Sequence, residues 1–442
     1  MKTVAYHNLG CKVNAYEMDA MLQALRDSGY QIVPFEQKAD IYLVNTCTVT
    51  NIADRKSRQM LHKAKKTNPE GIVVAVGCYV QSDKQTVEAD SAVDLLIGNN
   101  RKKDLVAILE NYFDGVTQEN VIDINHTLEY EELKIASTQE HTRAYIKIQD
   151  GCNQFCTYCM IPYARGRVRS RSQAAVLGEI EGLVSAGYKE FVLTGIHISS
   201  YGMDWKAQEG SLLELLRQID CIEGVARIRL GSLEPRITTE AFVKGLSELK
   251  HLCPHFHLSL QSGCAAVLKR MNRHYTPEEY LSSVALLRAA FEHPAITTDI
   301  ITGFPGETPE EFAETEAFAR TVKFYEMHIF KYSKRKGTKA AVMPDQISEE
   351  IKAQRSRVLE ALGNEDSRAF RAFYVGKQVE VLFEEQKQIN GKMYQIGHTK
   401  EYVRTALAIP PELSKDAKKF ENCLVTGKIT GFLEQDLLLM EL

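Results

Sequence analysis

The chain has 442 residues, 44% hydrophobic and 25% charged, with a formal net charge of −4. Such values fit a multidomain globular protein and exclude a collagen-like, low-complexity or strongly basic chain, so contact with nucleic acid would need local patches. No run nears the roughly 20 apolar residues of a membrane span and Met1–His7 has no signal-peptide core, so a cytoplasmic protein without a membrane partner is expected, in which metal or redox roles rather than structural disulfides come forward for the ten cysteines.

The fold class expected is multidomain α/β. Residues 1–125 read as a parallel α/β sheet domain. Its strands are expected at Val4–Tyr6, Ile41–Val44, Ile72–Val76 and Leu95–Ile97, and its helices at Asn14–Ser28, Ala53–Lys66 and Arg101–Tyr112. Residues 126–140 read as a polar linker, preceded by a short strand at Val121–Asp123. Residues 141–372 alternate six strand and helix patterns, which predicts a partial (β/α)6 barrel. Its strands are expected at Ala144–Ile148, Phe191–Leu193, Ala226–Leu230, Phe256–Leu260, Thr297–Ile301 and Glu326–Phe330. Residues 373–442 carry short strands separated by turn residues and read as a small all-β barrel.

Two cysteine sets carry the chemistry. Cys152, Cys156 and Cys159 are spaced C-x3-C-x2-C in a loop after a strand. Three thiolates so placed can hold an iron–sulfur cluster and leave one iron without a protein ligand. A zinc site, which would want a fourth ligand, and packing cysteines are the competing readings. Cys11, Cys47 and Cys78 are far apart in sequence, yet each follows an apolar strand and precedes a helix. In a parallel sheet the carboxyl ends of the strands share one edge, so the three thiols would meet there. Three unrelated buried cysteines are the alternative.

At Cys152-Asn153-Gln154-Phe155-Cys156-Thr157-Tyr158-Cys159 the chain resembles the radical S-adenosylmethionine superfamily. The resemblance implies a [4Fe–4S] cluster on those three cysteines, S-adenosylmethionine on the open iron, and a 5′-deoxyadenosyl radical from its reductive cleavage. It implies that Tyr158 lies against the adenine, and that Thr194 and Gly195 give backbone contacts to the methionine part. With Cys11, Cys47 and Cys78 ahead of the barrel, the whole chain resembles the methylthiotransferase family. That implies a second [4Fe–4S] cluster on the early trio and a C-terminal RNA-binding TRAM barrel. Leu9-Gly10-Cys11-Lys12-Val13-Asn14 and Asn45-Thr46-Cys47-Thr48-Val49-Thr50 resemble the MtaB-type branch. The activity implied is conversion of N6-threonylcarbamoyladenosine, next to the anticodon of tRNA, to its 2-methylthio derivative. The partners implied are the anticodon stem-loop and an electron donor of unknown identity, with the protein a monomer. A methylthiotransferase acting on protein, and a non-catalytic iron–sulfur RNA-binding protein, stay open on sequence alone.

Further candidates follow from position. Ser232, Glu234, Ser259 and Gln261 lie at carboxyl ends of barrel strands, where site residues gather. Arg273 can pair with the cofactor carboxylate. For RNA phosphates the candidates are Arg55, Lys56 and Arg58 on a basic helix, and Arg165, Arg167 and Arg169 after the cluster loop. Cys221, Cys253, Cys264 and Cys423 read as packing cysteines, and His255 and His257 as structural.

Overall fold

A computed structural model describes residues 1–136, 142–205, 210–409 and 420–442; residues 137–140 of the expected linker lie outside the described residues. The N-terminal sheet holds β1 (Thr3–Asn8), β2 (Gln31–Val33), β3 (Ile41–Thr46), β4 (Ile72–Gly77) and β5 (Leu95–Ile97), all parallel, in the order β2-β1-β3-β4-β5. Every residue of β3 is buried. That is what a sheet covered on both faces requires, and it explains why these strands read as unbroken apolar runs. Side chains alternate between the two faces. Val4, Leu43 and Val74 pack against Met18, Met21 and Leu25 of helix Lys12–Asp27, while Ala5, Val44 and Ala75 pack against Leu61 and Ala64 of helix Asn51–Thr67.

Two local expectations change here. β2 was not anticipated, because three residues carry too little periodicity to register. Val121–Asp123 is not a strand. It runs as an extended strap, with Asn120 O accepting from Gly98 N at 2.8 Å and Ile122 O accepting from Gln81 Nε2 at 2.9 Å.

The central unit contains β6 (Ala144–Asp150), β7 (Arg169–Ser170), β8 (Glu190–Gly195), β9 (Arg227–Leu230), β10 (His255–His257), β11 (Ala295–Thr302) and β12 (Glu326–Lys331). β6, β8 and β9 are parallel neighbours, as are β10, β11 and β12. Parallel bridges Ile228–Leu252 and Leu233–Leu258 join the two groups into one arc. Helices Gln173–Ser185, Leu212–Asp220, Glu240–Ser247, Pro277–Ala290 and Pro309–Val322 cover it. The last two start with a complete capping box, Thr276 with Glu279 and Thr308 with Glu311, and a proline in the first turn. These features make their N-termini the sharpest boundaries in the sequence.

The C-terminal strands β13 (Gln378–Ile389), β14 (Lys392–His398), β15 (Arg404–Ala408), β16 (Leu424–Glu434) and β17 (Leu437–Glu441) close into a barrel. Its β13–β14 hairpin turns on Asn390-Gly391, both at positive φ, as the twist of a two-residue hairpin demands. This barrel docks under the arc. Arg227 donates to His398 O and Arg229 to Lys400 O, each at 2.8 Å.

Candidate active site

The loop after β6 turns on Gly151. Its φ is +71°, and a methyl group there would lie 1.8 Å from the Arg167 carbonyl oxygen. The loop is then clamped from the far side of the arc. Asn272 donates to the carbonyls of Gln154 and Phe155 at 3.2 Å, and Thr157 N donates to Met271 O at 3.0 Å. Each thiol receives one N–H: Cys152 from Gln154 N at 3.5 Å, Cys156 from Arg273 Nη1 at 3.3 Å and Cys159 from Ile161 N at 3.4 Å. Burial pushes the Cys152 thiol up to about 11 and Cys159 to about 12. Three sulfurs with N–H donors suit an iron–sulfur cluster on three protein ligands, and loading it would release protons.

Beside these thiols lies a pocket of about 300 Å³. Tyr158, Ser232, Glu234, Ser259, Gln261 and Arg273 all line it. Thr194 and Gly195 do not. Thr194 is buried, and the Gly195 backbone is packed against β6, where a methyl group would meet Gln149 O at 3.0 Å. The next two residues, Ile196 and His197, take their place in the lining. His197 was given no role from the sequence, and Asp299 was noted there only as a residue ending the fifth barrel strand. The rule that strand ends carry sites, followed two residues further, would have reached His197. Asp299 stands with His257 and His328 inside the arc, 3.3 Å from His257 Nε2. Val49 and Thr50, from the N-terminal unit, close the pocket on the opposite side.

The second trio sits at the ends of three adjacent strands, because β1, β3 and β4 are neighbours in the sheet. Gly77 permits the close approach: its φ is +99°, and a methyl group would fall 2.6 Å from Asn45 Oδ1. Gly10 brings the Cys11 turn to within 3.2 Å of the Cys47 β-carbon, measured from where its own would be. Cys47 and Cys78 are buried and Cys11 opens onto a cleft. Burial, reinforced by Cys78 and Cys11, pushes the Cys47 thiol up to about 11. Cys78 accepts from Arg165 Nε at 3.3 Å and from Asn99 Nδ2 at 3.6 Å. Three thiols at adjacent strand ends, with two N–H donors on Cys78, fit the same kind of group as the first trio.

The basic run after the cluster loop is mostly turned inward. Arg165, Arg169 and Arg171 are fully buried. Arg165 binds Glu17 at 2.8 Å and Asp150 at 3.1 Å, and Arg169 donates to Arg165 O at 2.9 Å. Arg167 is half-buried, its guanidinium 4.6 Å from the centre of the Phe155 ring. The expectation that Arg165, Arg167 and Arg169 meet phosphate is therefore withdrawn for the two buried residues, whose charge is already spent on carboxylates and a carbonyl. Arg55, Lys56 and Arg58 are exposed. Further along the same helix, His62, Lys63 and Lys65 face Asp90, Glu36 and Asp94. Among the remaining cysteines Cys221 is exposed, correcting its reading as a packing residue, whereas Cys253 and Cys264 are buried.

Comparison with known proteins agrees with this geometry. The Radical SAM superfamily profile matches residues 146–319, and that of the uncharacterized protein family UPF0004 matches residues 3–98. The threonylcarbamoyladenosine tRNA methylthiotransferase MtaB of Bacillus subtilis (strain 168) is 42% identical over 407 residues, spanning 91% of this chain and 90% of the relative. The MtaB of Aquifex aeolicus (strain VF5) is 38% identical across 88% and 95% of the two chains. A tRNA-2-methylthio-N(6)-dimethylallyladenosine synthase of Pelotomaculum thermopropionicum is 36% identical across 86% of each. Among solved structures, the radical S-adenosylmethionine methyltransferase TsrM of Kitasatospora setae superposes with a TM-score of 0.59 over 77% of both chains at 15% identity, a likeness of fold alone. With identity at this level along nearly its whole length, the chain belongs to the radical S-adenosylmethionine tRNA methylthiotransferase family.

Proposed function

We propose that this enzyme converts N6-threonylcarbamoyladenosine beside the tRNA anticodon to its 2-methylthio derivative, using S-adenosylmethionine and two [4Fe–4S] clusters. The observation that carries the reading is Arg165. It lies six residues beyond Cys159, yet it donates to Cys78, so the loop of one trio is wired to the other. Bound to Cys152, Cys156 and Cys159, the cluster with S-adenosylmethionine supplies a radical able to take the hydrogen from adenine C2, a C–H too weakly acidic for any side-chain base.

The side chains bind and orient. Arg273 sets a positive charge beside the first trio, where the cofactor carboxylate is held. Ser232, Glu234, Ser259 and Gln261 offer polar partners, and Tyr158 offers a ring for the cofactor adenine. Lining the pocket, Val49 and Phe330 are exposed, and their apolar surface suits an unpaired RNA base. Arg55, Lys56 and Arg58 supply charge for the phosphates of the anticodon stem-loop. Cys11, Cys47 and Cys78 would hold the second cluster, which would supply the sulfur chemistry of the reaction. No described helix is long and apolar enough to cross a membrane. In this reading the enzyme works as a cytoplasmic monomer that draws electrons from a separate reductant.

The test is anaerobic reconstitution followed by iron and sulfide analysis. Wild type should hold about eight of each per chain. Replacing Cys11, Cys47 and Cys78 by alanine should halve both, leave 5′-deoxyadenosine release intact and abolish the methylthio product. Product formation at the wild-type rate in that variant would refute the role given to the early trio.

A further inference from the structure

Helix Lys12–Asp27 begins directly after Cys11, so Lys12 stands where the N-terminal sheet meets the first barrel strand. Its side chain lines a cleft of about 630 Å³ together with Asn8, Cys11 and Tyr145, and solvent reaches it there. No carboxylate pairs with Lys12 among the described residues. The acids within electrostatic reach are engaged elsewhere. Glu36, on the rim, is held by Lys63 at 3.2 Å, and Glu190 is held by Arg229 at 2.7 Å. Arg143 and Arg229 also bear on the Lys12 charge from behind the cleft, each held by its own carboxylate, Glu384 at 3.2 Å and Glu190 at 2.7 Å. Of the two charged side chains lining the cleft, Glu36 is already paired, so the Lys12 ammonium is the charge left there to attract an anion.

Resting on the function proposed above, we propose that Lys12 is the specificity-determining residue that pairs with the carboxylate of the threonylcarbamoyl group. The substrate base carries that carboxylate on N6, and a neutral N6 substituent would not. N6 and C2 share the Watson–Crick edge of adenine. Anchoring the N6 substituent beside Cys11 therefore turns the edge that bears C2 toward the early trio. An ammonium–carboxylate pair in a partly enclosed cleft is charge-assisted and stronger than its exposed counterpart. Lys12 in this role discriminates among substrates and does no chemistry.

The experiment titrates the anaerobically reconstituted full-length enzyme with a fluorescent anticodon stem-loop, read by anisotropy. One RNA carries the free threonyl carboxylate and the other carries its methyl ester. Wild type should bind the acid roughly tenfold or more tightly than the ester. Lys12→Gln should erase that preference by weakening the acid RNA alone, and Lys12→Arg should restore it. Iron content equal to wild type certifies that each variant is loaded. Three results would overturn the assignment: no acid-over-ester preference in wild type, a preference that survives Lys12→Gln, or equal weakening of both RNAs, which would make Lys12 a phosphate contact. Methylthio product from wild type on the acid RNA is scored separately. Its absence would sink the underlying function, while the binding comparison would still judge Lys12.

Discussion

Glu17 is fully enclosed, and its carboxylate faces Lys102, Lys147 at 2.7 Å and Arg165 at 2.8 Å. Asp150 is buried beside it, 2.7 Å from Lys147. Burial alone would raise both carboxyls, but the surrounding cations outweigh it and hold them well below the usual range. The linkage sign follows from that depression. These acids bind protons less readily folded than unfolded, so their stabilisation is complete above the ordinary carboxylate pKa, about 4, and is lost as pH falls through the folded values. Glu17→Gln keeps the shape but leaves the buried Lys102 without a carboxylate and leaves Lys147 and Arg165 to share Asp150. It should lower unfolding stability at neutral pH by about 3–5 kcal/mol. Its urea midpoint should also vary less than that of wild type between pH 5 and pH 3. A variant as stable as wild type at pH 7 would show that the cluster is solvated in solution.

At the scale of elements, the first cysteine loop depends on a turn and a clamp. Gly151→Ala places a methyl group 1.8 Å from a carbonyl oxygen, at a φ that side chains avoid. Since the loop must move, that variant should reconstitute with about four iron atoms rather than about eight, with the early trio still loaded. What the sequence made legible at this scale was the strand-to-helix joints. Apolar runs ending in Gly-Cys or Thr-Cys located Cys47 and Cys78 at adjacent strand ends. The arginine run after Cys159 was misread for an identifiable reason. A row of charges in a loop ordinarily faces solvent, and the carboxylate that draws Arg165 inward, Glu17, lies 148 residues earlier. No local window contains both partners. Lys12 was legible only as a residue of the motif around Cys11, because its lack of a counter-ion depends on where Glu36 and Glu190 are held.

On the scale of the whole molecule, three units are joined through buried charge rather than through apolar contact alone. The seam between the N-terminal sheet and the arc is the Glu17 cluster. The seam with the C-terminal barrel rests on Arg227 and Arg229, both buried, with Glu190 the one buried carboxylate between them. The remaining partners come from the barrel: Glu380 through its carboxylate and carbonyl, and the carbonyls of His398, Thr399 and Lys400. A chain ending at Gly376 keeps both guanidiniums and loses every one of those acceptors. It also uncovers Ala295 and Tyr325, which pack with Val381 and Leu438. If the C-terminal barrel were only an RNA-binding appendage, the truncated chain would melt where the full chain does. The packing argues otherwise. Truncation removes the acceptors of two guanidiniums and the apolar cover of Ala295 and Tyr325 together, so calorimetry should find the truncated arc melting well below the intact protein. Adding Arg227→Met to the truncated chain removes the surplus charge while keeping a side chain of similar length, and it should recover part of the loss. The same substitution in the full chain should destabilise, because the acceptors at His398 and Glu380 would then be left unpaired. Opposite signs in the two backgrounds would identify the buried charge as what fastens barrel to arc, and equal signs would show that the apolar contacts do so instead.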